Sequence, residues 1–178
     1  EPYRRQRQMC IRDSCEEIFE NHDEKPTNSF LYSLVMDTYS FGYSSSGFTD
    51  MPMNHKVFLA QFDAIKKLAS EGPCVMVGRC ADYALSEYKD CFSVFVHADT
   101  DWRINRLSQK HNKTAKEAKD MINKTDKSRS SYYNYYTNKK WGAASSYNLC
   151  VDSSKLGIDG AAKAIIQAIE IFDSIKNK

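Results

Sequence analysis

An α/β domain built on a parallel sheet is the fold class this sequence predicts. Three short apolar runs, Cys74–Arg79 (CVMVGR), Cys91–Asp99 (CFSVFVHAD) and Tyr147–Ser154 (YNLCVDSS), have the length and β-branched content of buried strands. Stretches with helical apolar spacing separate them, and strands alternating with helices pair in parallel with helices on the sheet faces. No segment repeats.

The elements follow in order. Ser29–Phe41 (SFLYSLVMDTYSF) has helical spacing and runs into a Gly/Ser-rich loop that ends at Pro52. His55–Gly72 (HKVFLAQFDAIKKLASEG) is predicted as an amphipathic helix. Asn54 can cap it, Val57, Phe58, Ala60, Phe62, Ile65 and Leu68 form its apolar face, and Gly72-Pro73 stops it. Ala81–Asp90 reads as a short helix, and Thr100 opens another. Thr114 is placed to cap the helix that begins AKEAKD, and the chain closes with an amphipathic helix after Leu156.

Composition bounds the function. The chain has 178 residues, 42% hydrophobic and 27% charged, which suits one globular domain. No apolar run reaches the roughly 20 residues of a membrane span. Residues 1–14 (EPYRRQRQMCIRDS) show no hydrophobic period, and MCIRDS matches one translated frame of a common sequencing adapter. They are therefore expected to be non-native and are set apart from residues 15–178, read as a single domain. Four Arg against Glu1 and Asp13 give that segment +2, equal to the +2 of the whole chain, so the rest balances at 21 basic and 21 acidic residues. Such neutrality argues against nucleic acid as the main partner. Six cysteines without metal-ligand spacing, three of them (Cys74, Cys91, Cys150) in strand-like runs, read as buried thiols in a reducing cytoplasm.

The stretch from Lys124 to Asp152 carries the most chemistry. At about 100° per residue of helix, Asp126, Arg129, Tyr133 and Tyr136 share one arc. A carboxylate there can orient a guanidinium to meet a phosphate bidentately. The alternative is a surface salt bridge with tyrosines covering the edge of the core. Gly78-Arg79 and His97-Ala98-Asp99 fall at the carboxyl ends of predicted strands, the edge where open parallel sheets bind ligands. Arg79 could meet a phosphate and Asp82 an exocyclic amine, or the two could form a helix-start ion pair. Arg103 and Arg106, one turn apart, could serve a ligand or a solvated face. Gly42–Thr49 has the glycine spacing of a phosphate loop, but Phe48 stands where its lysine belongs and a helix precedes it, so it is read as a mobile loop near the substrate.

Five segments in order carry a family resemblance: HDEKPTNSFLYSL, GPCVMVGRCADYAL, FVHADTDWRINRL, KTDKSRSSYYNYYTNKKWG and YNLCVDSSKLGIDGA. Together, over roughly residues 16–174, they resemble the cytidylate kinase-like family of P-loop kinases. The resemblance implies a three-layer P-loop kinase-like parallel sheet flanked by helices, with substrate-side helices and loop at 26–72 and a lid at 112–142. It further implies a kinase that moves the ATP γ-phosphoryl to CMP or a similar small acceptor with Mg²⁺. Arg79, Asp82 and Tyr83 would bind the monophosphate and Arg103 and Arg106 the nucleotide, while Lys127 and Arg129, oriented by Asp126, would act in the lid. The family's opening strand and GREFGSGG-type phosphate loop have no counterpart here, so an N-terminally truncated, inactive chain is expected. Two other readings stand beside it: a regulatory nucleotide-binding protein without turnover, and a single-stranded nucleic-acid surface made of the cations and tyrosines of 124–141.

Overall fold

The structure, a computed structural model, describes residues 53–176. The adapter-like segment 1–14, the helix expected at 29–41 and the loop 42–49 lie outside the described residues. Two compact units divide the chain, Glu1–Tyr88 and Lys89–Lys178.

In the first unit, helix α1 spans Met53–Glu71 and a single helical turn, α2, spans Ala81–Ala84. Of the expected apolar face of α1, Phe58, Ala60 and Ile65 are buried, the last only 2% exposed, while Phe62 and Leu68 are half-buried and Ala64 is buried beside them. Gln61 is buried with them. Gly72, at a φ of 150°, follows the helix end, as glycine does where an L side chain would be strained. The predicted strand over 74–79 does not form. Cys74 is exposed, Val75 and Val77 are about half exposed, and the segment has no ladder partner. An apolar run becomes a strand only where a neighbouring strand takes its N–H and C=O groups and a covered face takes its side chains; the described residues supply neither to this run. The expected helix over 81–90 likewise shortens to one turn, and Ala81, Ala84 and Leu85 are its buried anchors.

The second unit holds the sheet. Strand β1 (Val94–His97) is followed by helices α3 (Thr100–His111) and α4 (Ala115–Thr137), then strand β2 (Leu149–Asp152) and helix α5 (Ser153–Lys176). Among the described residues the sheet has two strands, paired in parallel with Val94 opposite Leu149 and His97 opposite Asp152. The result is a mixed α/β arrangement, a small parallel sheet flanked by helices, consistent with a P-loop kinase-like fold. Ser93 and Asn148 lock the amino end: Asn148 Oδ1 accepts from both the backbone N–H and the hydroxyl of Ser93, each at 2.8 Å. Strand β1 is shorter and more open than the buried strand expected over 91–99. Val96 is 51% exposed, whereas Val151 on β2 is buried. Only Cys150 of the three strand-like cysteines lies in a strand, and of the thiols expected to be buried Cys80 is, Cys91 and Cys150 are half-buried and Cys74 is exposed.

The α3–α4 hairpin is specified locally. Asn112 takes a left-handed φ of 50° and ends α3. Thr114 then starts α4 with a capping box: its hydroxyl accepts from the Glu117 N–H while the Glu117 carboxylate takes the Thr114 N–H at 2.8 Å. These bonds to Thr114 hold the Glu117 carboxyl below its ordinary range.

An aromatic cluster joins the far end of α4 to the sheet. Phe95 stacks on Tyr147 at 5.0 Å and meets Trp141 edge-on at 5.3 Å, and Tyr147 in turn stacks on buried Tyr133 at 6.1 Å. Gly142, at φ 75°, passes so close that an added Cβ would lie 3.2 Å from Phe95 Cζ. The closing helix is less regular than its sequence suggests. Gly157 is non-helical at φ 68° and ψ 176°, and Ile166, Ile171 and Ile175 remain exposed. Its end is tied back by Phe172 on Phe92 at 5.1 Å and by an ion pair of Lys176 with Asp90.

Candidate functional site

The first unit brings Arg79, Asp82 and Tyr83 into one turn. Gly78, Arg79 and Cys80 have consecutive positive φ angles of 72°, 55° and 56°. Glycine adopts that region freely, but each L residue there costs on the order of 1–2 kcal/mol. The turn closes through the Ala81 N–H on Gly78 O at 3.1 Å and the Ala84 N–H on Cys80 O at 3.0 Å. Cys80 is buried beneath it. Burial and the neighbouring Asp82 carboxylate push its thiol up to about 12, against an opposing pull from Arg79. A thiol so held is no nucleophile. Arg79 and Asp82 are left half-buried, and Tyr83 lies on the surface with its ring edge-on to Phe62 at 6.1 Å.

The second unit gives Arg103 and Asp126 to each other. Arg103 Nη1 and Nη2 donate to the two oxygens of Asp126 at 2.7 and 2.8 Å, a fork-on-carboxylate pair linking α3 to α4. Their side chains are 32% and 27% exposed. The pair explains the arc singled out in the sequence. Ala118, Ile122, Tyr133 and Thr137 are the buried residues of α4, and Asp126, one turn beyond Ile122, continues their stripe. The Asp126 and Tyr133 side of that arc therefore faces inward, tolerable because an arginine of α3 takes both oxygens of the carboxylate. Arg129 lies exposed on that helix, as does Lys127, and Tyr136 is half-buried. Arg106 is exposed and lies over the Trp102 ring at 5.5 Å.

A polar cluster at the carboxyl end of the strand pair was only half legible in the sequence. His97 and Asp99 were expected at this edge, but the β2 side was not. There Ser154 donates through both its N–H and its hydroxyl to Asp152 Oδ1, and this, with His97 and Lys155 nearby, holds the Asp152 carboxyl below its ordinary range. The Ser153 hydroxyl donates to His97 O at 3.0 Å, and the Asp99 N–H donates to the Ser154 hydroxyl at 3.2 Å. Lys155 Nζ reaches Asp99 Oδ2 at 2.9 Å, which raises the ammonium's pKa. The available signal was the Asp-Ser-Ser run directly after an apolar strand, since such residues cap helices and fold their side chains back on the backbone. Among the described residues no group of three or more His, Cys, Asp or Glu could hold a metal ion, and no helix is long and apolar enough to cross a membrane.

These features define a kinase-like α/β protein, and comparison with known families agrees. Residues 8–155 match the Cytidylate kinase-like family, and the chain belongs to it. A nucleotide kinase-like phosphotransferase function follows at that level of description. No curated protein matches the chain. The fold is also similar to the crystal structure of an uncharacterized protein from Eubacterium ventriosum ATCC 27560, with a TM-score of 0.62 and 28% identity over 90% of this chain and 79% of that one.

Proposed function

We propose that this protein is a nucleoside monophosphate kinase-like protein whose site suits CMP or a similar small phosphorylated acceptor, with Mg·ATP as the donor of the family reaction. The Gly78–Cys80 turn carries the reading. Two L residues in left-handed conformation present an arginine and a carboxylate three residues apart, and strain of this kind is retained where the surroundings enforce it, often at binding turns. Arg79 suits the acceptor phosphate and Asp82 an exocyclic amine of its base, with Tyr83 beside them. Arg103 and Arg106 would serve the nucleotide.

In the transfer, an oxygen of the acceptor phosphate forms a bond to the γ-phosphorus while the bond to the β–γ bridging oxygen breaks in line, and ADP leaves. The enzyme contributes position and charge, not a nucleophile. Lys127 and Arg129 would neutralise charge on the transferring group. Asp126, expected to orient Lys127 and Arg129, instead holds Arg103 through both its oxygens, which supports a role exerted through that arginine. Mg²⁺ would enter on the phosphates of ATP, which suits an ion that keeps most of its waters.

Calorimetry with CMP tests the acceptor site. Arg79→Gly should weaken CMP binding at least about tenfold, the scale of one lost charge-assisted contact. Stability should change by less than about 1 kcal/mol, because glycine accepts a φ of 55°. Equal CMP affinity in the two proteins would refute the acceptor assignment. A coupled ATP-to-ADP assay with CMP then separates the kinase from a regulatory protein that binds nucleotide without turnover.

A further inference from the structure

We propose that the outer face of α4 and the turn after it form a docking surface for single-stranded nucleic acid, independent of the kinase-like reading. The observation is a local one that the neutral balance of residues 15–178 conceals. From Lys127 to Val151 the sequence contains four cations, six aromatic residues and no carboxylate. Three of those aromatics, Tyr133, Trp141 and Tyr147, belong to the inner cluster around Phe95. The other three form a second group. Tyr132, Tyr135 and Tyr136 pack on one another, with centroids 4.8 Å apart for Tyr132–Tyr136 and 4.9 Å for Tyr135–Tyr136, and Tyr135 is 73% exposed.

Helical spacing extends this platform in both directions. Lys124, Ser128, Tyr132 and Tyr135 fall on one face of α4, turned well away from the stripe of Ala118, Ile122, Tyr133 and Thr137. Past the helix, the left-handed Asn138 turns the chain at exposed Lys139 and Lys140. From Lys124 to Thr137 the helical surface runs about 20 Å at 1.5 Å per residue. One exposed phenol ring, Tyr135, flanked by the half-buried rings of Tyr132 and Tyr136 and with ammonium groups at each end, matches a strand whose bases are unpaired and whose phosphates alternate with them. A duplex offers the phosphates but keeps its bases stacked inside, and so could use only the lysines.

Fluorescence anisotropy with a labelled 20-mer of thymidine tests the proposal on the full chain. Three engaged cations predict a log–log salt slope near −2, a loss of about 20-fold between 50 and 200 mM NaCl. Tyr135→Ala should weaken binding at least about fivefold, and Tyr132→Ala with Tyr135→Ala about 30-fold, with the salt slope unchanged. Lys139→Gln with Lys140→Gln should instead flatten the slope. Tyr135 is so exposed that its removal should leave the unfolding temperature within about 2 °C, which confirms that a loss is local. The proposal is overturned if the 20-mer does not bind at 50 mM NaCl, if the tyrosine variants bind as the parent does, or if saturating CMP displaces the strand. The last outcome would return this face to the kinase-like site, whereas failed CMP binding alone would leave it standing.

Discussion

Removing Asp126 probes both the packing of the α3–α4 hairpin and the availability of Arg103. The pair is bidentate, with contacts of 2.7 and 2.8 Å, and about 30% of each side chain is exposed. Fully exposed ion pairs are worth about 0–1 kcal/mol, and breaking a fully buried one costs about 3–5 kcal/mol. Partial exposure places this pair between them, so Asp126→Ala should cost about 2 kcal/mol. A double-mutant cycle with Arg103→Gln should return a coupling of about 1–1.5 kcal/mol in urea unfolding. A coupling below about 0.3 kcal/mol would show that the two helices are held by apolar contact alone. The same variant bears on ligand binding. A nucleotide that uses the Arg103 fork must displace Asp126, so Asp126→Asn should tighten its binding severalfold. Unchanged affinity, measured by calorimetry, would make Arg103 a strut between helices and remove it from the nucleotide site.

Two further outcomes test the frame around the site. Gly142→Ala should destabilise the protein by about 2 kcal/mol in urea unfolding. It forces an L residue to φ 75° and sets a methyl 3.2 Å from the Phe95 ring; a loss under 0.5 kcal/mol would mean that the aromatic cluster yields easily. Asp152 has a depressed carboxyl pKa in the folded state, chiefly from the Ser154 hydroxyl. Its contribution to stability is therefore present above the ordinary carboxylate range and lost as pH falls through the folded value. Asp152→Asn should flatten the acid limb of the stability–pH curve between about pH 5 and 3, and an unaltered limb would place the acid sensitivity elsewhere.

Periodicity and caps determined the long helices α1, α3 and α4, because each is decided by residues within a few positions of one another, whereas the helix expected over 81–90 shrank to one turn. Gly72-Pro73 ends α1, and Thr114 with Glu117 begins α4, as read from the sequence. The second and third apolar runs became the parallel pair for the same local reason, joined by a register that local pattern did not specify. The family, too, was legible, since its segments stand in order along the chain. What local pattern could not decide was pairing. CVMVGR has the composition of a strand, yet strand formation depends on a partner far away in sequence, and Val75 and Val77 are left about half exposed. Nor could spacing on one helix reveal that Asp126 meets Arg103, 23 residues earlier, because that contact exists only where α3 folds back along α4. The sequence placed the carboxylate on the right arc, but the face that arc turns toward, and so whether it is surface or seam, is a property of the packed hairpin.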